Sequence, residues 1–261
     1  MRAMTSDDFS PTPRPVAVVT GASSGIGAAT ARRLAAAGYW VLCVARRSDR
    51  IARLANEIDG YAVTCDVTDP ADVEVLAAAV DGRCDLLVNN AGGALGQEPV
   101  AEADLQAWST MYASNVLGAA AVTKALLPAL ISSQGQVVFI TSVAADGAYE
   151  GGAGYCGAKA AERAIAGAMR LELVDQPVRI AEISPGMVRT EEFSVTRYGG
   201  DEERAAAVYA GVAEPLSAED IAECVVWVAS RPAHVNIDRM TVRPRAQAAQ
   251  HKVHRVPQPS S

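Results

Sequence analysis

Aromatic residues are scarce in this 261-residue chain, at 5%, although half of it is hydrophobic. A core of that size must be built from Ala, Val, Leu and Ile rather than from rings. Cysteine is also sparse: Cys43, Cys65, Cys84, Cys156 and Cys224 are scattered and odd in number. That argues against a disulfide framework and leaves no metal-type spacing. His251 and His254 are close in sequence but have no obvious ligating partner, so no metal is expected. Basic excess is missing too. The net charge is −7, which argues against a general nucleic-acid binder, because neutralising phosphates needs basic surface. No uninterrupted apolar run reaches the roughly 18 residues of a spanning helix, so no membrane span is expected. Residues 1–15 lack the apolar stretch of a secretory signal. They read as a disordered lead-in, and the expected place is the cytoplasm.

What is present is an alternation of apolar strands and Ala-rich helices. Residues 16–20 (Val-Ala-Val-Val-Thr) read as a buried parallel strand. Gly21-Ala-Ser-Ser-Gly25-Ile26-Gly27 follows, then a helix over 28–37 closed by Gly38. Strand, glycine turn and helix are the context of a phosphate-binding turn. Gly21 permits the tight turn, Gly25 lets backbone N–H groups approach a pyrophosphate, and Gly27 lets the helix pack close to the sheet. Ser23 and Ser24 add hydroxyl donors.

The next strand, 39–45, ends at Ala45, where an NAD-preferring turn would carry a carboxylate. Arg46 and Arg47 follow instead. Two arginines suit a 2′-phosphate, so NADP(H) is expected over NAD(H); the alternative is that one or both are solvated charges at a helix start. A third strand, 61–67, carries Asp66 and Val67 at its end, with Asp66 placed either for an adenine amino group or as a helix cap. A fourth strand from 85 ends in Asn89, Asn90, Ala91 and Gly92. Asparagines at a buried strand end need partners, and the neighbouring glycine turn can supply them. The expectation is an α/β fold, a doubly wound parallel sheet in one domain over 16–240, with ligands at the carboxyl ends of the strands.

Residues 104–130 read as one long helix or two. Asn115 inside it is a poor helix-interior residue, either merely at the surface or loosening one turn near a site. A strand over 136–142 ends on Ser142. Thirteen residues on stands Tyr155, with Lys159 one helical turn later on the same face. An ammonium beside a phenol favours the phenolate, and such a tyrosine can pass a proton near neutral pH. A last strand, 178–183, is followed by Pro185 and Gly186.

Thr20-Gly21-x-x-x-Gly25-x-Gly27, Asn89-Asn90-Ala91-Gly92, Asn115, Ser142, Tyr155-x-x-x-Lys159 and Pro185-Gly186 stand in one order across almost the whole chain. In this the chain resembles the short-chain dehydrogenase/reductase family. The resemblance implies a Rossmann fold, usually tetrameric, and hydride transfer between NADP(H) and a carbonyl or alcohol. It implies that Tyr155 is the general acid/base and that Lys159 supports it and holds the nicotinamide ribose. Ser142 would bond the substrate oxygen and Asn115 would keep a relaying water. Ile26, Val67, Asn90, Ala91 and Gly92 would join the cofactor contacts, and Pro185, Gly186, Val188 and Thr190 would line the nicotinamide end.

Residues 187–215 read as a substrate lid. The stretches 190–201, 227–237 and 242–247 resemble the NADP-dependent 3-hydroxy acid dehydrogenases, which act on serine, allo-threonine and small 3-oxo acids. Arg197, and less so Arg189, can fork onto a substrate carboxylate; the alternative is an ion pair with Glu191, Glu192 or Asp201. Two other functions stay open: an NADPH-dependent reductase of a larger ketone or aldehyde, and a non-enzymatic NADP-binding regulator. The presence of Asn115, Ser142, Tyr155 and Lys159 together speaks against the regulator. Residues 241–261 carry Arg243, Arg245, Lys252 and Arg255 without an acid. They read as a basic tail, disordered or, by the resemblance, packed on a neighbouring subunit of a homotetramer.

Overall fold

The computed structural model describes residues 14–256; the expected lead-in lies almost wholly outside them. Among the described residues the strands are β1 (Val16–Thr20), β2 (Trp40–Ala45), β3 (Tyr61–Thr64), β4 (Leu86–Asn89), β5 (Gln136–Ile140), β6 (Arg179–Pro185) and β7 (Arg239–Val242). They form one parallel sheet in the order β3-β2-β1-β4-β5-β6-β7. The central strands β1, β4 and β5 are buried at every position, whereas the edge strands β3 and β7 are largely not. That is the pattern of a parallel sheet covered on both faces.

The helices are α1 (Gly25–Ala36), α2 (Ser48–Glu57), α3 (Pro70–Val80), α4 (Leu105–Tyr112), α5 (Ala119–Ser132), α6 (Ala153–Glu172), α7 (Phe193–Arg197), α8 (Glu202–Ala207) and α9 (Ala218–Ala229). The pleat sends alternate residues to opposite faces. Val18, Leu42, Leu87 and Phe139 pack with Leu76 of α3 and Val122 and Leu126 of α5. Val19, Val41, Cys43 and Val88 pack with Leu34 of α1, Ile51 of α2 and Val225 of α9. Phe139 is the one ring among the largest fully buried side chains of the described residues, as the scarcity of aromatics requires.

Strands β3 and β5 end at Thr64 and Ile140, short of the expected 67 and 142, and three further details depart from the sequence reading. Helix α1 starts at Gly25 rather than Ala28, so the last glycines of the turn already form its first residues. The long helix 104–130 is broken by a π turn over Ala113–Gly118 that contains the fully buried Asn115. The wide turn gives that side chain room, and such bulges recur at functional sites. This helical stretch, Leu105–Ser132, is long and apolar enough to cross a membrane although polar residues interrupt it; its inner face belongs to the core just described.

The third departure is the tail. Strand β7 runs to Val242, past the expected domain boundary, and residues 243–256 fold back over their own chain. Gln247 Oε1 accepts the Met187 N–H at 2.8 Å. Gln250 donates to the Val143 carbonyl and Arg255 to those of Ala210 and Val208. The segment is apolar-poor, as read, and is held by hydrogen bonds rather than by burial.

Candidate active site

At the carboxyl ends of the strands lies a cavity of about 1350 Å³. It brings together Gly21, Ser23, Ser24, Gly25, Ile26, Arg46, Arg47, Asp66, Val67, Asn90, Ala91, Gly92, Ser142, Tyr155, Lys159, Pro185, Gly186, Val188, Thr190 and Arg197. Gly27 and Asn115, also named from the sequence, do not line it; both sit just behind its wall.

The glycine turn is fixed by close approach. A Cβ on Gly27 would lie 2.3 Å from the Gly21 carbonyl oxygen and 2.5 Å from Asn90 Nδ2, so no other residue fits there without moving backbone. Gly21 has φ +66°, which a side chain would resist. Asn90 Nδ2 donates to the Thr20 carbonyl at 2.9 Å, and Thr20 Oγ1 accepts the Asn90 and Ala91 N–H groups at 3.0 Å. The end of β4 thereby clamps the end of β1. Such a cradle, with the α1 N-terminus at its floor, suits the pyrophosphate of a dinucleotide.

The two arginines after β2 part company. Arg46 is mostly exposed and lies 3.7 Å from Asp66. Arg47 turns inward: its Nε and Nη2 donate to Ser23 Oγ at 3.1 and 2.7 Å, and Nη2 reaches Ser24 Oγ at 2.9 Å. Arg47 thus lies against the serines of the glycine turn, and its Nη1 is paired with the Glu192 carboxylate. Burial pushes the Asp66 carboxyl up, but hydrogen bonds from Thr68 and the charge of Arg46 outweigh it and hold it below its usual range. The cap of α3 is Asp69, whose side chain accepts the Ala71 N–H at 2.9 Å, which leaves Asp66 at the cavity wall.

Helix α6 carries the tyrosine and lysine singled out from the sequence. Tyr155 and Lys159 are buried, at 8% and 5% exposure, yet both reach the cavity. Phe193 of α7 packs edge-on against the Tyr155 ring with centroids 5.9 Å apart. Ser142 stands two residues past the end of β5, not at the strand end expected from the sequence, and caps the short turn Val143–Ala145; its Oγ accepts the Ala144 N–H at 3.1 Å, which leaves its hydroxyl hydrogen free to point into the cavity. Lys159 Nζ donates to the Ile140 carbonyl at 3.0 Å and to Glu162 Oε2 at 2.8 Å, leaving one of its three hydrogens for another acceptor. Burial opposes the Lys159 charge, but Glu162, Tyr155 and Glu182 outweigh it and hold the ammonium above its usual range. Burial also pushes the Glu162 carboxyl up to about 7, with Lys159 pulling the other way. Glu162 was missed from the sequence, although its place three residues after Lys159 puts it on the same helix face.

Asn115 spends its side chain on the backbone. Its Oδ1 accepts the Gly93 N–H at 3.2 Å, and its Nδ2 donates to the carbonyls of Gly93 at 3.0 Å and Met111 at 2.8 Å. It fastens the π turn to the loop after β4.

On the far side, Arg197 forms no ion pair among the described residues, so the alternative partners Glu191, Glu192 and Asp201 do not hold it. Its Nε donates to the Gly96 carbonyl at 3.1 Å, its guanidinium lies 5.6 Å from the Tyr149 ring centre and 5.8 Å from that of Tyr155, and its Nη2 is buried without a partner. Arg189 instead stacks on Tyr209 at 4.9 Å. Gln247, Gln250 and His251 close this end of the cavity. They too were missed, since nothing local marks a tail residue that docks on a strand end far away in sequence.

This geometry agrees with comparisons to known proteins. The short chain dehydrogenase family model matches residues 15–198. An uncharacterized oxidoreductase of Mycobacterium tuberculosis is 57% identical over 235 residues, which is 90% of this chain and 92% of that one. The serine 3-dehydrogenase of Agrobacterium fabrum is 42% identical over 236 residues, 88% of this chain and 94% of that one. A solved structure described as the closed form of serine dehydrogenase complexed with NADP+ superposes with a TM-score of 0.86 at 36% identity, covering 92% of this chain and 100% of that one. Glycine cradle, buried Tyr–Lys pair, the serine just past β5 and these matches converge: the chain belongs to the short-chain dehydrogenase family and is an oxidoreductase acting on CH–OH groups.

Proposed function

We propose that the protein is an NADP(H)-dependent dehydrogenase of a small 3-hydroxy acid, of the serine or 3-hydroxypropionate kind, or of the matching oxo acid or semialdehyde in reverse. The observation that carries the substrate class is Arg197. A guanidinium nitrogen buried without a partner is costly, and here it lies beside the tyrosine that handles the reacting oxygen. A carboxylate seated there would satisfy it and hold the hydroxyl-bearing carbon near the phenol.

The glycine cradle fits a dinucleotide, and Arg47 with Ser23 fits its 2′-phosphate. Asp66 and Val67 would meet the adenine, Lys159 the nicotinamide ribose, and Pro185, Gly186, Val188 and Thr190 the nicotinamide end. When bound, NADP⁺ supplies the hydride acceptor. The protein does the rest. Ser142 Oγ donates a hydrogen bond to the substrate oxygen. The phenolic oxygen of Tyr155 takes the substrate hydroxyl proton in oxidation and returns it in reduction. Lys159 keeps a positive charge beneath both and favours oxyanion character as it develops. Asn115 fixes the loop from which a water passes the proton on.

We place the enzyme in the cytoplasm as a homotetramer. Tyr112, Leu117, Leu171 and Val174 are exposed apolar residues that assembly would cover. Light scattering should then give four times the chain mass, and a monomer would contradict it.

The test of the function is NADP⁺ reduction with serine, 3-hydroxypropionate, allo-threonine and bulky neutral alcohols. The small acids should give the highest kcat/KM. A clear preference for bulky neutral alcohols would overturn the substrate class.

A further inference from the structure

The lid residue Glu192, just before α7, reaches across the mouth of the cavity to the turn after β2. Arg47 Nη1 donates to both of its carboxylate oxygens, at 2.9 and 2.8 Å, and Arg50 of α2 pairs with it as well. With Ser23 and Ser24 on the other side, every N–H of the Arg47 guanidinium has an acceptor. Burial pushes the Glu192 carboxyl up, but the hydrogen bonds from Ser24, Arg47 and Arg50 win and hold it below its usual range. The carboxylate therefore carries its charge at neutral pH and sits where a second anion would have to go.

We propose that Glu192 is a built-in competitor of the cofactor's 2′-phosphate and thereby tempers the preference for NADP(H) over NAD(H). This rests on the NADP(H) reading above. A 2′-phosphate gains Arg47 only by displacing Glu192, because two anions on one guanidinium repel and the fork has no spare donor. NAD(H), with a ribose hydroxyl in that place, binds without breaking the pair. Part of the 2′-phosphate's binding energy is thus used to open the Arg47–Glu192 link, and the measured affinity falls accordingly. The displaced residue directly precedes, as its N-cap, the short helix whose last residue is Arg197, so cofactor choice and the substrate arginine are linked through one element.

The test is calorimetric titration of the full chain with NADP⁺ and with NAD⁺, for wild type, Glu192→Gln and Glu192→Ala. Both side chains are partly exposed, at 40% for Arg47 and 30% for Glu192, so the variants should fold. Screening by solvent keeps the expected gain modest: NADP⁺ should bind about fivefold tighter in both variants. NAD⁺ should stay within about twofold of wild type, since it leaves the pair intact. Unchanged or weaker NADP⁺ binding in the variants would overturn the proposal, as would an equal gain for both dinucleotides. A wild type that binds neither dinucleotide would overturn the cofactor reading itself and this inference with it.

Discussion

The two walls of the cavity are built differently. The wall of β1, α1, β2 and β4 consists largely of main chain: glycines at van der Waals limits, carbonyls and N–H groups clamped by Thr20 and Asn90. The opposite wall is made of long side chains brought from distant segments. Arg197 bonds the loop at Gly96, Tyr198 bonds Gln97, and Gln247 holds the turn at Met187. On the proposed reading the first wall would bind the dinucleotide, a ligand part whose shape does not vary, so a backbone mould would serve. The second must select one substrate, and side chains can be exchanged without disturbing the sheet. Helix α6 stands between the walls and presents Tyr155 to both.

The comparison can be broken at the rigid wall first. Gly27→Ala adds one methyl group against the Gly21 carbonyl, a backbone atom that cannot swing aside. The overpacking should cost the fold up to about 3 kcal/mol, read from its denaturation midpoint, and the shifted turn should weaken NADP⁺ binding roughly tenfold in a fluorescence titration. A loss of less than about twofold would show that this wall yields like the other.

Beneath the junction lies Glu162, whose carboxyl is pushed up to about 7 in the folded chain from an ordinary 4.5. The fold therefore retains a proton that the unfolded chain has already released. The contribution to stability is full below the unfolded value and is lost as pH rises through the folded one. Denaturation midpoints should show wild type losing up to about 3 kcal/mol between pH ~4.5 and ~7, and Glu162→Gln should flatten that decline. Parallel profiles for the two proteins would remove Glu162 from the account.

At the adaptable wall, Arg197→Ala should raise KM for a 3-hydroxy acid about tenfold or more, the worth of a charge-assisted pair. KM for NADP⁺ should hardly change, and an unchanged KM for the acid would leave its carboxylate unassigned. The smallest effect belongs to the core. Burial pushes Cys43 and Cys84 up to about 12 and Cys65 to about 11. Thiols so far from ionisation should resist alkylation in the native protein at neutral pH. Rapid labelling of Cys43 by mass spectrometry would mean that the sheet opens there.

The same contrast decides what the sequence discloses. The rigid wall is legible because its signals are local: a strand, a glycine turn and a helix follow one another within residues 16–38, and Asn90, which clamps the turn, directly follows a strand of its own, whereas Asn89 before it bonds Thr123 of α5. The parallel sheet follows from fully apolar strands between helices. Arg46 and Arg47 could not be told apart, because neighbouring residues at a strand end point in different directions and only the fold decides which one meets Ser23. The composition of the tail cannot sustain a core, so the sequence offers only a disordered tail or one packed on a neighbouring subunit. What holds it is a set of hydrogen bonds to residues as far back as Val143, which leave no periodic trace. Glu192 was weighed only as a partner of Arg197, four residues on from Phe193; the helix between them faces the two in different directions.

The central claim concerns the phenol that α6 holds between the walls. The most direct measurement is the rate of NADPH formation by wild type and Tyr155→Phe with serine or 3-hydroxypropionate, alongside NADP⁺ titration of both. The proposed acid/base role predicts that the substitution lowers kcat about 10²- to 10⁴-fold while the NADP⁺ affinity stays near wild type. A variant that keeps most of its kcat would contradict the assignment of Tyr155 as the proton-transferring residue.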